Sequence, residues 1–364
     1  MAKIKNRKNE FLQRMLLLVT LLVILASLLV SCAFPQATKL SEKDLQSISF
    51  GLIETSSNKN KSYIHWYNDE LEVITSDKLR YSSLGSSFER PICFEDECYM
   101  IPRGITGRSD SKLVISVNQV DRSIEEYPID NLALNHVAVD EKNIYTVNTL
   151  NGTSHISALD RKSKAFREIL LEAEYAYSLA AANGEVYCFS IDEKGSEPEA
   201  YLYIYSPELE QKEKINISEY GVMQYKFAYD GDYIYTASLH SLDNRPLKSL
   251  LKISTKTHEI ETIDLADEGI NEIFSYGNKL LVTHNDPVTG QGSKVSLVDK
   301  KTHEIQSFDL GVDLQISAIK DKTLLVVSED KVLAFAIDKD FEKIAERQVD
   351  VRKDCYLSLL LVLK

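Results

Sequence analysis

The pentapeptide KTHEI occurs at 256–260 and again at 301–305, and a larger unit recurs at the same interval. The 9-mers VAVDEKNIY (137–145), LAAANGEVY (179–187) and FAYDGDYIY (227–235) are matched more loosely by PICFEDECY (91–99), IFSYGNKLL (273–281) and SAIKDKTLL (317–325). Each reads as an apolar strand, a tight turn of Asp, Asn, Gly or Lys, and a second apolar strand, which is a hairpin signature. Their last residues stand at 99, 145, 187, 235, 281 and 325, so the spacings are 46, 42, 48, 46 and 44. A second hairpin follows each, as in HISALDRKSKAFREI (155–169) and LLKISTKTHEIETIDL (250–265). Both KTHEI copies fall in the turn of such a second hairpin. His258 and His303 therefore read as solvated turn residues on separate units, with no second ligand type recurring beside them to suggest a metal.

Four antiparallel strands every 42–48 residues is the period of a β-propeller. Six units are complete, and the chain ends supply a seventh. SISFGLIET (47–55), SYIHWYN (62–68) and LEVITSD (71–77) give three strands and lack the innermost, while DCYLSLLLVLK (354–364) is one strand without a partner. The fold expected is all-β: a seven-bladed propeller of four-stranded antiparallel blades, its ring closed by 355–363 joining the N-terminal blade. Closure removes sheet edges that would otherwise invite aggregation.

Units such as 144–169 and 294–311 resemble YVTN-type and quinoprotein-like propeller repeats, in which the third strand ends in "ID" or "LD" before a polar turn. Asp160 and Asp299 stand at the matching acidic position; Asn118, Ser254 and Asp338 match more loosely, and Ser206-Pro207 departs from it. The resemblance covers about 46–363 and implies fold alone, since such propellers include cofactor enzymes and proteins without known activity. The tryptophan signature of quinoprotein repeats is missing, Trp66 being the one Trp, so no quinone or other cofactor is expected.

The N-terminus reads as a targeting segment. Lys3, Lys5, Arg7, Lys8 and Arg14 precede the uncharged run MLLLVTLLVILASLLV (15–30), which is short for a spanning helix and suits a signal h-region. The LVSC that ends it (29–32) resembles a bacterial lipobox. That resemblance implies cleavage before Cys32 and a diacylglycerol on its thiol, anchoring the chain outside the cytoplasmic membrane at about 0.8 kcal/mol per buried CH₂. The domains expected are a signal peptide (1–31), the lipidated Cys32 with a polar tether (32–45), and the propeller (46–364). Cleavage leaves 37 Lys and Arg against 54 Asp and Glu, a net −17. Anionic lipid would repel such a surface, so the lipid must anchor. Without a basic patch beyond the N-terminus, nucleic acid is not an expected partner.

The loops joining second and third strands are the long ones: 103–111, 148–154, 190–200, 238–248 and 284–293. Loop length marks that face as the freer to carry function. Three residues past most 9-mers stands a polar residue, giving candidate ligand-binding positions around a central funnel: Asn148, Ser190, Ser238, His284 and Ser328, with His240 two residues beyond Ser238. The propeller resemblance lends His284 and His240 some interest, since certain seven-bladed lyases and lactonases use His and Glu on this face. With Asp286 or Asp243 they form the one conceivable metal or general-base set. No HxH, HExxH, G-x-S-x-G or phosphate-loop motif accompanies them, so no metal is expected. The best reading is a membrane-anchored scaffold presenting its loop-rich face to an envelope protein, peptide or glycan. A lyase or hydrolase with its site near His240 and His284, and a structural spacer, are the alternatives. Cys93 and Cys98 flank one hairpin turn, at positions facing each other across it, and form either a local disulfide or two buried thiols. Cys188 and Cys355 fall on distant blades and are expected to be free.

Overall fold

The computed structural model describes residues 46–86, 88–103, 112–131 and 133–363, so the segments expected to be a signal peptide, lipidated Cys32 and tether lie outside the described residues. Seven four-stranded antiparallel sheets follow one another around an axis. Blade 2 runs through Ile92–Phe94, Glu97–Met100, Leu113–Asn118 and Ile124–Pro128, strands a to d from the axis outward. Blades 3 to 7 repeat the pattern, with inner strands Leu134–Val139, Glu174–Ala182, Phe227–Tyr229, Ile270–Tyr276 and Ile316–Lys320. Strands b and c are almost wholly buried where blades press together, as in blade 7 (Thr323–Ser328 and Lys331–Ala336). Outer strands alternate, as in Phe166–Glu172, because one face meets water.

Blade 1 is assembled from both chain ends. Its strands b, c and d are Phe50–Thr55, Ser62–Tyr67 and Val73–Leu79, and its inner strand is Tyr356–Val362, paired antiparallel from Phe50–Val362 to Thr55–Tyr356. The expected closure is therefore present. Side chains reinforce it. The Glu54 carboxylate is fully buried and accepts from the Arg352 backbone N–H (2.8 Å) and from Arg352 Nη1 (2.5 Å), and pairs with His65 Nε2 at 2.8 Å. Burial works against the charged carboxylate, but these bonds outweigh it and hold the Glu54 pKa below its ordinary value. Ser358 Oγ donates to Leu84 O at 2.7 Å. Beside it Gly85 sits at φ +84, and a Cβ there would lie 2.2 Å from Leu359, so only glycine lets the closing strand pack against this connection.

The recurring turn between strands c and d has one mechanism. Asn118, Asp160, Ser206, Ser254 and Asp299 each end strand c or directly follow it, and each side-chain oxygen accepts two backbone N–H groups of the turn. Ser206, which departs from the repeat pattern in sequence, thus does the same work as Asp160. In the four turns of equal length the fourth residue on, Arg122, Lys164, His258 or His303, takes a left-handed conformation with φ of 58–62°. In both KTHEI copies that residue is the histidine.

His258 is nonetheless not a solvated turn residue. Its ring lies between blades 4 and 5, with Nδ1 2.6 Å from Glu213 Oε2 and Nε2 2.8 Å from Glu185 Oε2, edge-on to Tyr187. Burial alone would push its pKa down, but the bonds to Glu185 and Glu213 win and raise it. A raised folded-state value means the clip stabilises most below the unfolded histidine value and fades as pH rises through the folded one. His258→Ala is expected to lower unfolding stability by about 1 kcal/mol at about pH 6, with Glu213 half in solvent limiting the effect. The gap from wild type should narrow as pH rises through the raised folded-state value. Urea melts across that range check this, and a gap that widens toward alkaline pH would contradict it.

Cys93 and Cys98 stand directly opposite in the a–b hairpin of blade 2, with Cα atoms 4.0 Å apart and sulfurs at bonding distance. Cys188 is buried and Cys355 half-buried, both as free thiols.

Candidate functional site

The short a–b and c–d turns lie on one face of the disc, the b–c loops and interblade connections on the other. One loop expected to be long is not: strand b of blade 3 continues to Leu150 and strand c starts at Thr153, so 148–154 is a two-residue hairpin built on Asn151-Gly152. Residues 104–111 of another lie outside the described residues.

The six candidate funnel positions stand along strand b or just past it; Ser190, Ser238 and His284 bond within their own blade or the connection leading into it, while the buried Asn148 Oδ1 has no hydrogen-bond partner among the described residues. Asn148 is buried between Leu134 and His155. Ser190 Oγ donates to Glu174 Oε2 at 3.2 Å. Ser238 Oγ donates to Tyr220 O and accepts from Gln224 Nε2, both at 2.6 Å. Ser328 ends strand b of blade 7 opposite Lys331. His240 pairs through its backbone with Val222 and Pro246. His284 Nδ1 donates to Glu268 O (3.1 Å), which leaves Nε2 to accept from Ser296 Oγ (2.8 Å). Burial lowers the His284 pKa, and the ring is neutral. Asp286 caps its own loop through the Val288 and Thr289 N–H groups, and Asp243 pairs with Arg245 at 2.7 Å. The structure does not draw these groups to one point. Among the described residues no group of three or more His, Cys, Asp and Glu is placed to hold a metal ion.

What occupies the axis on the long-loop face is a plug of charged and aromatic side chains. The connection from blade 1 to blade 2 carries Phe88, Glu89 and Arg90. Arg90 reaches blade 6, where Nη1 donates to Ile273 O at 2.8 Å, approaches Glu272 Oε2 at 3.7 Å and lies over the Phe274 ring. Lys226, just before the inner strand of blade 5, donates to Asn271 Oδ1 (2.8 Å) and Glu272 Oε1 (2.5 Å). Arg103 donates to Glu89 and to Asn135 O. Tyr225 packs between Phe88 (5.5 Å) and Tyr177 (5.6 Å). His136 Nε2 donates to Tyr225 O (2.9 Å) while its Nδ1 accepts from the Leu179 N–H (3.3 Å), so the ring is neutral, and burial pushes its pKa down to about 4. Burial likewise depresses Lys226 and raises Glu89, each opposed by its partner.

Beneath the plug the channel widens toward the short-turn face into a cavity of about 810 Å³. Its wall is the inner strands of blades 2 to 5, with Ile92, Phe94, Val139, Leu179, Phe227 and Tyr229 among the apolar faces. Ala138, Ala180, Ala181 and Ala182 provide the room, and Arg90 lines the cavity beside the first strand. The rim carries Asp140, Glu141, Lys142 and Glu208, of which Lys142 and Glu208 pair at 3.6 Å. Smaller hollows of about 600 Å³ and 480 Å³ lie between the turns of blades 6 and 7 and, on the long-loop face, beside Cys355. The most spacious of these thus opens on the face with short turns, away from the one loop length favours.

Sequence reasoning did not find this site. Its charged members sit in the connections that feed the inner strands, where the repeats do not align. The available signals were the alanine run 180–182, and Lys226 and Glu272 inside otherwise apolar stretches.

No protein-family model matches the chain, and no curated protein sequence matches it. Its fold is shared by solved structures. Apo AztD from Citrobacter koseri superposes with a TM-score of 0.54 at 11% identity, over 84% of this chain and 82% of that one. Kuenenia stuttgartiensis hydrazine synthase gives 0.53 at 12% identity, over 77% of this chain and 94% of that one. Hsv2 from Kluyveromyces lactis gives 0.51 at 11% identity, over 83% of this chain and all of the other. At such identities the likeness establishes the seven-bladed propeller fold and nothing of the activity.

Proposed function

We propose that this protein is a ligand-binding β-propeller, held on the outer side of the cytoplasmic membrane by a lipid on Cys32. The observation that carries the binding half is the axial cavity. Its volume of about 810 Å³ falls within the range of small-molecule sites, about 300–1,000 Å³. Its wall is apolar, as in such sites, with a few polar groups converging at one end. The inner strands that form it are anchored on both sides by neighbouring blades, so the pocket is pre-formed and a ligand spends little free energy on ordering it. Of the ionisable groups under it, Lys226 is tied to Glu272 and Arg103 to Glu89, which favours holding a ligand over proton transfer to it. The anchoring half rests on the lipobox-like LVSC and the polar tether behind it.

The two halves are tested separately. Cys32→Ser is expected to abolish incorporation of labelled palmitate and to release the chain from the membrane fraction; a variant that still labels and still sediments would overturn the anchor. Ala181→Trp puts an indole into the cavity from a half-buried wall position and leaves the outer surfaces alone. It is expected to remove ligand capture without unfolding the disc.

A further inference from the structure

We infer that the axial cavity takes a small organic carboxylate, with its apolar body against the inner strands and its carboxylate on Arg90; the inference rests on the binding reading above. The first argument is a count of buried charge. Around the axis the described residues place three cations, Arg90, Arg103 and Lys226, against two carboxylates, Glu89 and Glu272. His136 is neutral, so one positive charge is unmatched even with both carboxylates ionised. Burial raises the Glu89 pKa, which widens the excess. A buried charge without a partner costs several kcal/mol, so natural interiors match them.

The second argument is which cation carries the unmatched charge. Lys226 is committed to Glu272 and Asn271, and Arg103 to Glu89 and Asn135 O. Arg90 is the weakly matched member. It stands 3.7 Å from Glu272 Oε2, and among the described residues its guanidinium makes one hydrogen bond, to Ile273 O. Its side chain is 21% exposed, and it lines the cavity. A planar guanidinium with unused donors is a match for a carboxylate, which it grips through two parallel bonds. The third argument is the wall. Phe94, Val139, Leu179 and Phe227 offer nothing polar to the rest of the ligand. The rim carboxylates do not serve a cation equally well: Asp140 is occupied by the Tyr145 hydroxyl and its own turn, Glu208 by Lys142, and Glu141 is exposed to solvent at the mouth, away from the apolar wall.

The test is calorimetric titration of the full-length protein with octanoate, octanol and octylammonium, which share an apolar body and differ in charge. Octanoate is expected to bind about tenfold or more tighter than octanol, as a charge-assisted bond warrants. Arg90→Gln should erase the preference, and Arg90→Lys should retain part of it. If Arg90→Gln fails to fold by circular dichroism, the wild-type series and Arg90→Lys decide. Equal binding of octanoate and octanol, or tightest binding of octylammonium, overturns the carboxylate. If Ala181→Trp still blocks that binding, the cavity reading survives. Binding of none of the three, or binding that Ala181→Trp leaves unchanged, overturns both.

Discussion

A chain truncated after Asp350 is expected to lose its folded monomer and to appear as oligomers or aggregate. The truncation removes the inner strand Tyr356–Val362, exposing the strand-b edge Phe50–Thr55 in the centre of the ring. It also strips Glu54, fully buried, of both Arg352 bonds. A milder version isolates the second effect. Arg352→Ala keeps the strand and its backbone donor but takes away the one guanidinium paired with the buried carboxylate, and should cost about 3 kcal/mol of unfolding free energy. Lys353→Ala, an exposed position on the same segment, should change stability by under about 1 kcal/mol. Size-exclusion chromatography of the truncation and chemical melts of the two variants check this. A monomeric, cooperatively melting truncation would mean that the last strand is not what closes the ring.

The second large effect lies in the plug. Glu272→Leu is expected to destabilise by about 3–5 kcal/mol, because it leaves the buried Lys226 without its carboxylate and beside a second cation, Arg90. Lys226→Met made in the same chain should recover a substantial part of that loss, since removing both members of a buried pair is far milder than removing one. An additive double variant would show that the two groups are not coupled. If an organic carboxylate fills the cavity, saturating octanoate should rescue Glu272→Leu more than wild type, because the ligand then meets the cation that Glu272 no longer does.

The fold was legible because it is periodic. Hairpins at 42–48-residue spacing define the blades whatever their side chains do, and an N-terminal blade one strand short beside one unpaired apolar strand at the C-terminal end left closure as the economical solution. The turn chemistry was partly legible: Asp160 and Asp299 announce an acidic cap, whereas Ser206 does the same work with a residue type the pattern does not single out. The site was not legible, for a physical reason. Arg90 meets Ile273 across 183 residues, and His258 meets Glu185 across 73, so neither partnership leaves a local spacing to read. Loop length pointed to the opposite face, and there the axis is closed by Phe88, Arg90, Tyr225 and Lys226. Polar residues such as Ser190, Ser238 and His284, which looked like a funnel ring, satisfy hydrogen bonds inside the blades. A polar residue near a strand end does not reveal from sequence whether it faces a channel or a neighbouring strand.

The central claim is that the disc holds a small molecule on its axis. Native mass spectrometry of the full-length protein, gently released from its own cells and set beside Ala181→Trp, tests it most directly. The expected result is one small organic adduct per chain in the wild type, of anionic character when extracted, and none in the variant. A wild-type chain that flies bare, or an adduct that the tryptophan does not displace, would contradict the claim.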